Sequence, residues 1–228
     1  MVGTPLLRCF DLDGCVVVSD AAIADGLHHA VATVGLPTPD ADEVRAAIGP
    51  PLRTTFARLV RAAGHDPEVG EGAALVTAAV TAYRTRYADV GFDLTRPVPG
   101  IVALLEEVAD LPGRTVIVTA KPTAVAEPLL THVGLRDRFD AVHGAPLGPD
   151  VEEKRVTLAR ALATHDAAAD AAVMIGDRSH DVHAGRACGT RTVGVLWGAG
   201  DRAELEAAGA DHVVDLPPAL VPLLTGPR

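Results

Sequence analysis

From Pro99 onward the chain alternates short apolar strands with helical stretches. No other feature limits the fold as strongly, because β and α units in turn imply a parallel sheet covered by helices on both faces. The apolar spacing predicts helices over 100–109, from Pro122, and over 152–164, 179–187, 202–208 and 218–224. It predicts strands over 114–119, 139–143, 171–175, 192–196 and 212–214. One more strand lies far upstream. Leu6 to Leu12, LLRCFDL, is a short apolar run that ends in acids and a glycine, as a buried strand entering a loop does. Between it and Pro99 the pattern changes. Ile23, Leu27, Val31 and Val34 fall at helical spacing, as do Leu52, Phe56, Leu59 and Val60, and then Val76, Val80, Tyr83 and Tyr87. Breaks fall at 35–37, 49–51 and 64–67. A helical block of roughly 70 residues therefore interrupts the α/β pattern directly after its first strand.

Composition narrows the function. The chain has 228 residues, and 48% are hydrophobic. That suits one large domain, or one domain with a smaller one inserted, and excludes disorder as the main state. No apolar run approaches the ~20 residues that span a bilayer, so no membrane role is expected. The start MVGTPLLRCF lacks the basic, apolar and cleavage regions of a secretory leader, and a cytoplasmic protein is expected. A net charge of −10 argues against nucleic-acid binding. The 3 cysteines, Cys9, Cys15 and Cys188, form no C-x-x-C pair and read as reduced thiols. Of 20 basic residues, only Lys121 and Lys154 are lysines, and Asn and Gln are absent. Against such a background, a surviving lysine marks a position where arginine does not serve.

In doubly wound sheets, ligands bind beyond the carboxyl ends of the strands. The first strand ends in Asp11-Leu12-Asp13-Gly14, and the strand over 114–119 in Thr119-Ala120-Lys121-Pro122. Lys154 stands near the start of the next helix but one, and the strand over 171–175 runs into Gly176-Asp177-Arg178-Ser179-His180-Asp181. Four acids, a hydroxyl and one or two lysines thus converge on one sheet edge. Crowded carboxylates raise one another's pKa. A hard divalent cation relieves that, and oxygen ligands suit Mg²⁺. A hydroxyl, an ammonium and backbone N–H groups suit a phosphate. A carboxylate facing that phosphate can be phosphorylated and then hydrolysed, which splits one hard step into two. A second carboxylate two residues on can protonate the leaving group and later deprotonate water.

These residues resemble a known family. FDLDG, the strand ending in Thr119, the isolated Lys154 and GDRSHD are similar to the four signature motifs of the haloacid dehalogenase-like hydrolases. IGPPL at 48–52, RPVPGI at 96–101 and TAKP at 119–122 resemble the phosphoglycolate-phosphatase-like branch, which carries a helical cap. The resemblance implies a Rossmann-like α/β core over 1–15 and 94–228, with a small all-helical cap domain inserted over 16–93. It implies Asp11 as nucleophile, Asp13 as general acid and base, and Thr119 and Lys154 as the phosphate-orienting pair, with Ala120 beside them. It implies Mg²⁺ held by Asp11, Asp177 and the Asp13 backbone carbonyl, with Asp181 in support. Lys121 and Arg178 are further candidates: Lys121 faces solvent or reaches the substrate, and Arg178 lines the pocket. Cys15 stands where the branch more often has Thr, and Arg178 where a small polar residue is common.

Other readings stand beside these. Thr119 also suits a helix N-cap, and Asp181 suits a first-turn acid favoured by the helix dipole. His180 and His183 lack a third soft ligand nearby, and His28 and His29 read as solvated. Cys15 and Trp197 read as packing residues, while Arg53 is a candidate contact for a substrate anion. The expected function is Mg²⁺-dependent hydrolysis of a small phosphomonoester through an aspartyl-phosphate. A phosphomutase on the same scaffold is the alternative, and a non-enzymatic phospho-acceptor domain a distant one. A second acid at position 13 does not suit dehalogenation, and the lysine-free helical block does not suit Schiff-base cleavage of a phosphonate. The particular phosphoester and the oligomeric state are not legible in the sequence.

Overall fold

The computed structural model describes residues 6–148 and 152–226. Residues 1–5, 149–151 and 227–228, which the core assignment includes and of which 1–5 enter the leader argument, lie outside the described residues. Within these limits the chain divides into two compact units. One comprises residues 6–18, 97–147 and 152–226; the other comprises 19–96 with Gly148.

The first unit is built on a six-stranded sheet of β1 (Leu6–Phe10), β4 (Gly113–Pro122), β5 (Ala141–Ala145), β6 (Ala172–Gly176), β7 (Arg191–Val195) and β8 (His212–Val214). The two-residue strands β2 (Val17–Val18) and β3 (Arg96–Pro97) lie where the chain leaves and re-enters this unit. In the six-stranded sheet the order is β5-β4-β1-β6-β7-β8, with every neighbouring pair parallel. Helices α5 (Ile101–Ala109), α6 (Thr123–His132), α7 (Lys154–Thr164), α8 (Ser179–Cys188) and α9 (Arg202–Ala207) alternate with these strands, as the sequence predicts.

β1 is buried along its whole length, which is why it reads as a near-continuous apolar run rather than an alternating one. Its Leu7 and Cys9 share one face with Val116, Val118, Ala172 and Met174, packed on Leu158 and Ala161 of α7 and Ala184 of α8. Each large aliphatic side chain buried there contributes about 1.5–3 kcal/mol. Elsewhere in the core, Phe10 meets Phe139 edge to face at 6.4 Å. Arg8 interrupts the apolar run yet is buried. Its guanidinium donates to the carbonyls of Leu224 at 3.1 Å and Pro112 at 2.9 Å, so the buried donors are not left unpaired.

Two elements differ from the sequence reading. The segment expected as a helix over 218–224 is a 3₁₀ run, Pro217–Leu223. Pro222 inside it cannot donate an i→i−4 bond, which disfavours an α-helix there. The strand expected over 139–143 forms over Ala141–Ala145 instead. Phe139 follows a 3₁₀ turn, Arg136–Arg138, and Asp140 accepts the Thr115 N–H at 2.7 Å, leading the chain into β5.

The second unit is helical: α1 (Asp20–Val34), α2 (Ala41–Ala46), α3 (Leu52–Ala62) and α4 (Gly70–Arg86), followed by a π-helical turn over Tyr87–Gly91. Ile23, Leu27 and Val31 of α1, Phe56, Leu59 and Val60 of α3, and Val76 and Tyr83 of α4 are buried, while Val34, Leu52 and Val80 of the predicted stripes are only partly so. Four of the seven aromatic residues line up here. Phe56 meets Tyr83 at 6.1 Å, Tyr83 stacks on Tyr87 at 5.7 Å, and Tyr87 meets Phe92 at 6.1 Å. Such ring pairs add about 0.5–1.5 kcal/mol each beyond area burial. Helix α2 was not foreseen. Asp40 and Glu43 form a reciprocal capping box at its start, and the D-x-x-E spacing is the sequence signal for it. No helix of the described residues is long and apolar enough to cross a membrane.

Candidate active site

The sheet order creates the site. From β1 the chain adds β4 and then β5 on one side, and then crosses to β6 on the other. β1 is therefore the strand at which the winding reverses, and the crevice of such a sheet lies at the carboxyl ends there. Asp11 directly follows β1 and stays in the ladder, its N–H donating to the Ile175 carbonyl at 2.8 Å. Asp177 directly follows β6. Thr119 ends the regular pairing of β4 with β5, whose register then shifts before Pro122.

Three carboxylates converge. One oxygen each of Asp11, Asp177 and Asp181 lies within 4.8 Å of the others. All three residues are buried, Asp177 at 0% exposure. Two glycines make room for them. Gly14 has φ +80, and a Cβ there would strike the Asp177 carboxylate; a Cβ at Gly176 would strike that of Asp181. Only glycine meets both demands at position 14 without strain.

Lys154, the first residue of α7, places its ammonium 2.8 Å from Asp11 Oδ1 and 2.5 Å from Asp181 Oδ1. The contact with Asp181 is a hydrogen bond; that with Asp11 is an ion pair. Asp181 does two things at once. Its other oxygen accepts the Arg178 N–H at 3.0 Å and so closes the first turn of its own helix, as the first-turn reading of that position has it. Asp177 Oδ2 accepts the Ala199 N–H at 2.7 Å. Its Oδ1 is buried and has no hydrogen-bond donor among the described residues.

Burial and crowding set the electrostatics. Burial pushes the Asp11 carboxyl up to about 7, helped by the charges of Asp181 and Asp13 and opposed by Lys154. Burial also raises Asp177 well above the usual carboxylate range, with Asp181 and Asp11 adding to it. Burial works to lower Lys154, but Asp11 and Asp181 outweigh it and hold the ammonium charged. One ammonium against three carboxylates leaves a negative excess. The oxygen-only donor set, the orphaned Asp177 Oδ1 and the room made by Gly14 fit a hard divalent cation bound by Asp11, Asp177 and Asp181.

The remaining candidates fall as follows. The Asp13 carboxylate is not among the three; Lys121 Nζ donates to its Oδ1 at 2.9 Å. Lys121, open in the sequence reading, thus faces an acid of this edge and not bulk solvent. Thr119 is buried, and its Oγ1 accepts the Lys121 N–H at 3.1 Å. Ala120 lies between them, half-buried, with only its backbone to offer. Arg178 Nε donates to Glu204 at 3.0 Å. His180 and His183 are exposed and stand outside the carboxylate group, and His28 and His29 are exposed on α1. Arg53 is half-buried in the first turn of α3. Cys15 is fully buried with its thiol pKa raised by burial, and Trp197 Nε1 donates to its carbonyl at 2.9 Å, which ties down the turn after Asp13. Glu204 was missed: it accepts from the Ser179 N–H at 2.8 Å and the Ser179 hydroxyl at 2.7 Å, holding the start of α8.

The family model described as haloacid dehalogenase-like hydrolase matches residues 9–195. The tyrosine-protein kinase PtkA of Mycobacterium tuberculosis is 34% identical over 86% of this chain, and the chain spans 64% of that protein's length. A phosphoglycolate phosphatase of Caulobacter vibrioides is 33% identical over 95% of this chain and 91% of its own. The crystal structure of a predicted phosphatase from Clostridium acetobutylicum superposes with a TM-score of 0.88 at 27% identity, covering 97% of this chain and 99% of that one.

Proposed function

The chain belongs to the haloacid dehalogenase-like hydrolases, and on that premise we propose that it hydrolyses a small phosphomonoester through a phosphorylated Asp11. The observation that carries this reading is the Lys154 ammonium 2.8 Å from Asp11, beside two further buried carboxylates. A lone buried acid next to an ammonium is an ion pair; one that shares its site with Asp177 and Asp181 is arranged around phosphate and a cation.

Asp11 attacks phosphorus, and the ester P–O bond breaks with its electron pair leaving on oxygen. Asp13 gives that oxygen its proton. Water then attacks the phosphorus of phospho-Asp11 and gives a proton to Asp13; phosphate leaves and the Asp11 carboxylate returns. Thr119 and Lys154 orient the phosphate oxygens, and Lys154 offsets their charge. Mg²⁺, held by Asp11, Asp177, the Asp13 carbonyl and, directly or through water, Asp181, would supply Lewis-acid stabilisation of charge at phosphorus.

The relatives support small phosphorylated substrates: besides the phosphoglycolate phosphatase, a 5'-nucleotidase of Pseudomonas aeruginosa is 30% identical over 89% of this chain. The helical unit at 19–96 is assigned here as the substrate-selecting cap, with Arg53 a contact for an anionic tail. Free thiols at Cys9, Cys15 and Cys188 support a reducing, cytoplasmic setting. A second reading, favoured by the similarity to the kinase, passes the phosphoryl group from Asp11 to a hydroxyl acceptor other than water; phosphomutase chemistry is one such case. The test is phosphate release from a generic aryl phosphate with Mg²⁺, by the native chain and by Asp11→Asn. Equal activity of the two contradicts the assignment. Turnover that requires a sugar phosphate or tyrosine acceptor favours the second reading.

A further inference from the structure

The two lysines among 20 basic residues both end on the acids of one strand edge. Lys154 serves Asp11 and Asp181; Lys121 serves Asp13. The Lys121 and Asp13 side chains are only 11% and 12% exposed. Ion pairs this far from water form only when geometry is well fixed, and three features fix this one. The Thr119 hydroxyl accepts the Lys121 N–H at 3.1 Å. The β4–β5 register shifts between Thr119 and Pro122, the kind of irregularity that re-aims a side chain. On the other strand, Gly14 N–H donates to the Val17 carbonyl at 2.8 Å and closes the turn that carries Asp13. A compact ammonium on a flexible stem suits contact with a single carboxylate oxygen, whereas arginine presents a wide planar fork made for two. In a chain otherwise supplied with arginine, that accounts for lysine at 121.

We propose that Lys121 is a positioning residue of the reaction: by holding Asp13 Oδ1 it fixes the carboxyl so that Oδ2 is the oxygen that exchanges a proton with the leaving group. This rests on the assignment of Asp13 as acid and base made above. The step is the one already written: the Asp13 proton goes to the ester oxygen, which departs with the P–O electron pair as Asp11 takes the phosphoryl group. Lys121 gains and loses nothing in it; it orients. Its loss must therefore weigh most on substrates that need the proton.

The experiment compares kcat/KM, which reports the steps through phosphorylation of Asp11, for two substrates in Lys121→Met and the native chain. One is p-nitrophenyl phosphate, whose leaving group departs without a proton; the other is an alkyl phosphate, whose leaving group does not. Misplacing an acid catalyst is expected to cost about 30-fold on the alkyl ester and about 3-fold or less on the aryl ester. A ratio within one preparation is insensitive to the fraction folded, and Lys121→Gln gives the same comparison should the Met variant not fold. In an Asp13→Asn background, Lys121→Met should add about 2-fold or less, because the lysine acts through Asp13. Equal losses on both esters, or a full additional loss in the Asp13→Asn background, overturn the assignment of Lys121. The reading it rests on is checked separately: an active Asp11→Asn chain defeats that reading, whereas an inactive one together with equal losses in Lys121→Met defeats only the role of Lys121.

Discussion

The Lys154 ammonium lies 2.8 Å from Asp11 Oδ1 and 2.5 Å from Asp181 Oδ1, and none of the three side chains exceeds 7% exposure. Removing the ammonium leaves buried carboxylates facing one another without a counter-charge. Lys154→Met is expected to lower unfolding stability by about 3 kcal/mol, the usual cost of deleting one partner of a buried pair. It should also reduce turnover by about 100-fold or more, as loss of an electrostatic contact to the reacting group does. Urea denaturation and initial rates check both, and an unchanged urea midpoint contradicts the buried-pair account.

The raised Asp11 carboxyl gives a pH prediction with a definite sign. Its folded value, about 7, lies above the 3.8 of the free side chain. Such a group contributes stability in its protonated form, in full at low pH, and loses it as pH rises from about 4 through about 7. With divalent ions chelated, Asp11→Asn should therefore match the native chain only at about pH 4 or below and exceed it near pH 8, by at least about 1 kcal/mol. Added Mg²⁺ should reverse the order at pH 8, because the cation binds the ionised carboxylate. A native chain that stays the more stable of the two under chelation at pH 8 rules this out.

Gly14 couples backbone to ligand placement. With φ +80 and the Asp177 carboxylate against the place of a Cβ, Gly14→Ala is expected to cost about 1–2 kcal/mol in backbone strain alone. By displacing Asp177 it should also raise the Mg²⁺ concentration for half-maximal activity about 10-fold, the usual size of a disturbed ligand set. Magnesium titration of the variant provides the check; an unaltered midpoint would show that Asp177 does not need the space.

Much of the site was legible because its parts are local. Asp11 and Asp13 sit at the end of one apolar run, and Asp177 and Asp181 open one helix, so strand ends alone bring them to one edge. Lys154 stood out because lysine is scarce. The partner of Lys121 was not legible, since its reach depends on a register shift between β4 and β5 that no spacing announces. Glu204 was missed for a related reason: it meets Ser179 only through the packing of α9 against the start of α8. In the fold, the alternating pattern after Pro99 was read with small boundary errors. The final turn differs because apolar periodicity hardly separates α from 3₁₀ runs of one or two turns.

The most direct test of the central claim is to trap the intermediate. The chain is mixed with a phosphomonoester and Mg²⁺, quenched in acid during turnover, digested and read by mass spectrometry. A phosphoryl group on the peptide that carries Asp11, absent from Asp11→Asn, is the predicted result. Sustained phosphate release with that peptide unmodified, or with the label on another residue, would contradict the account.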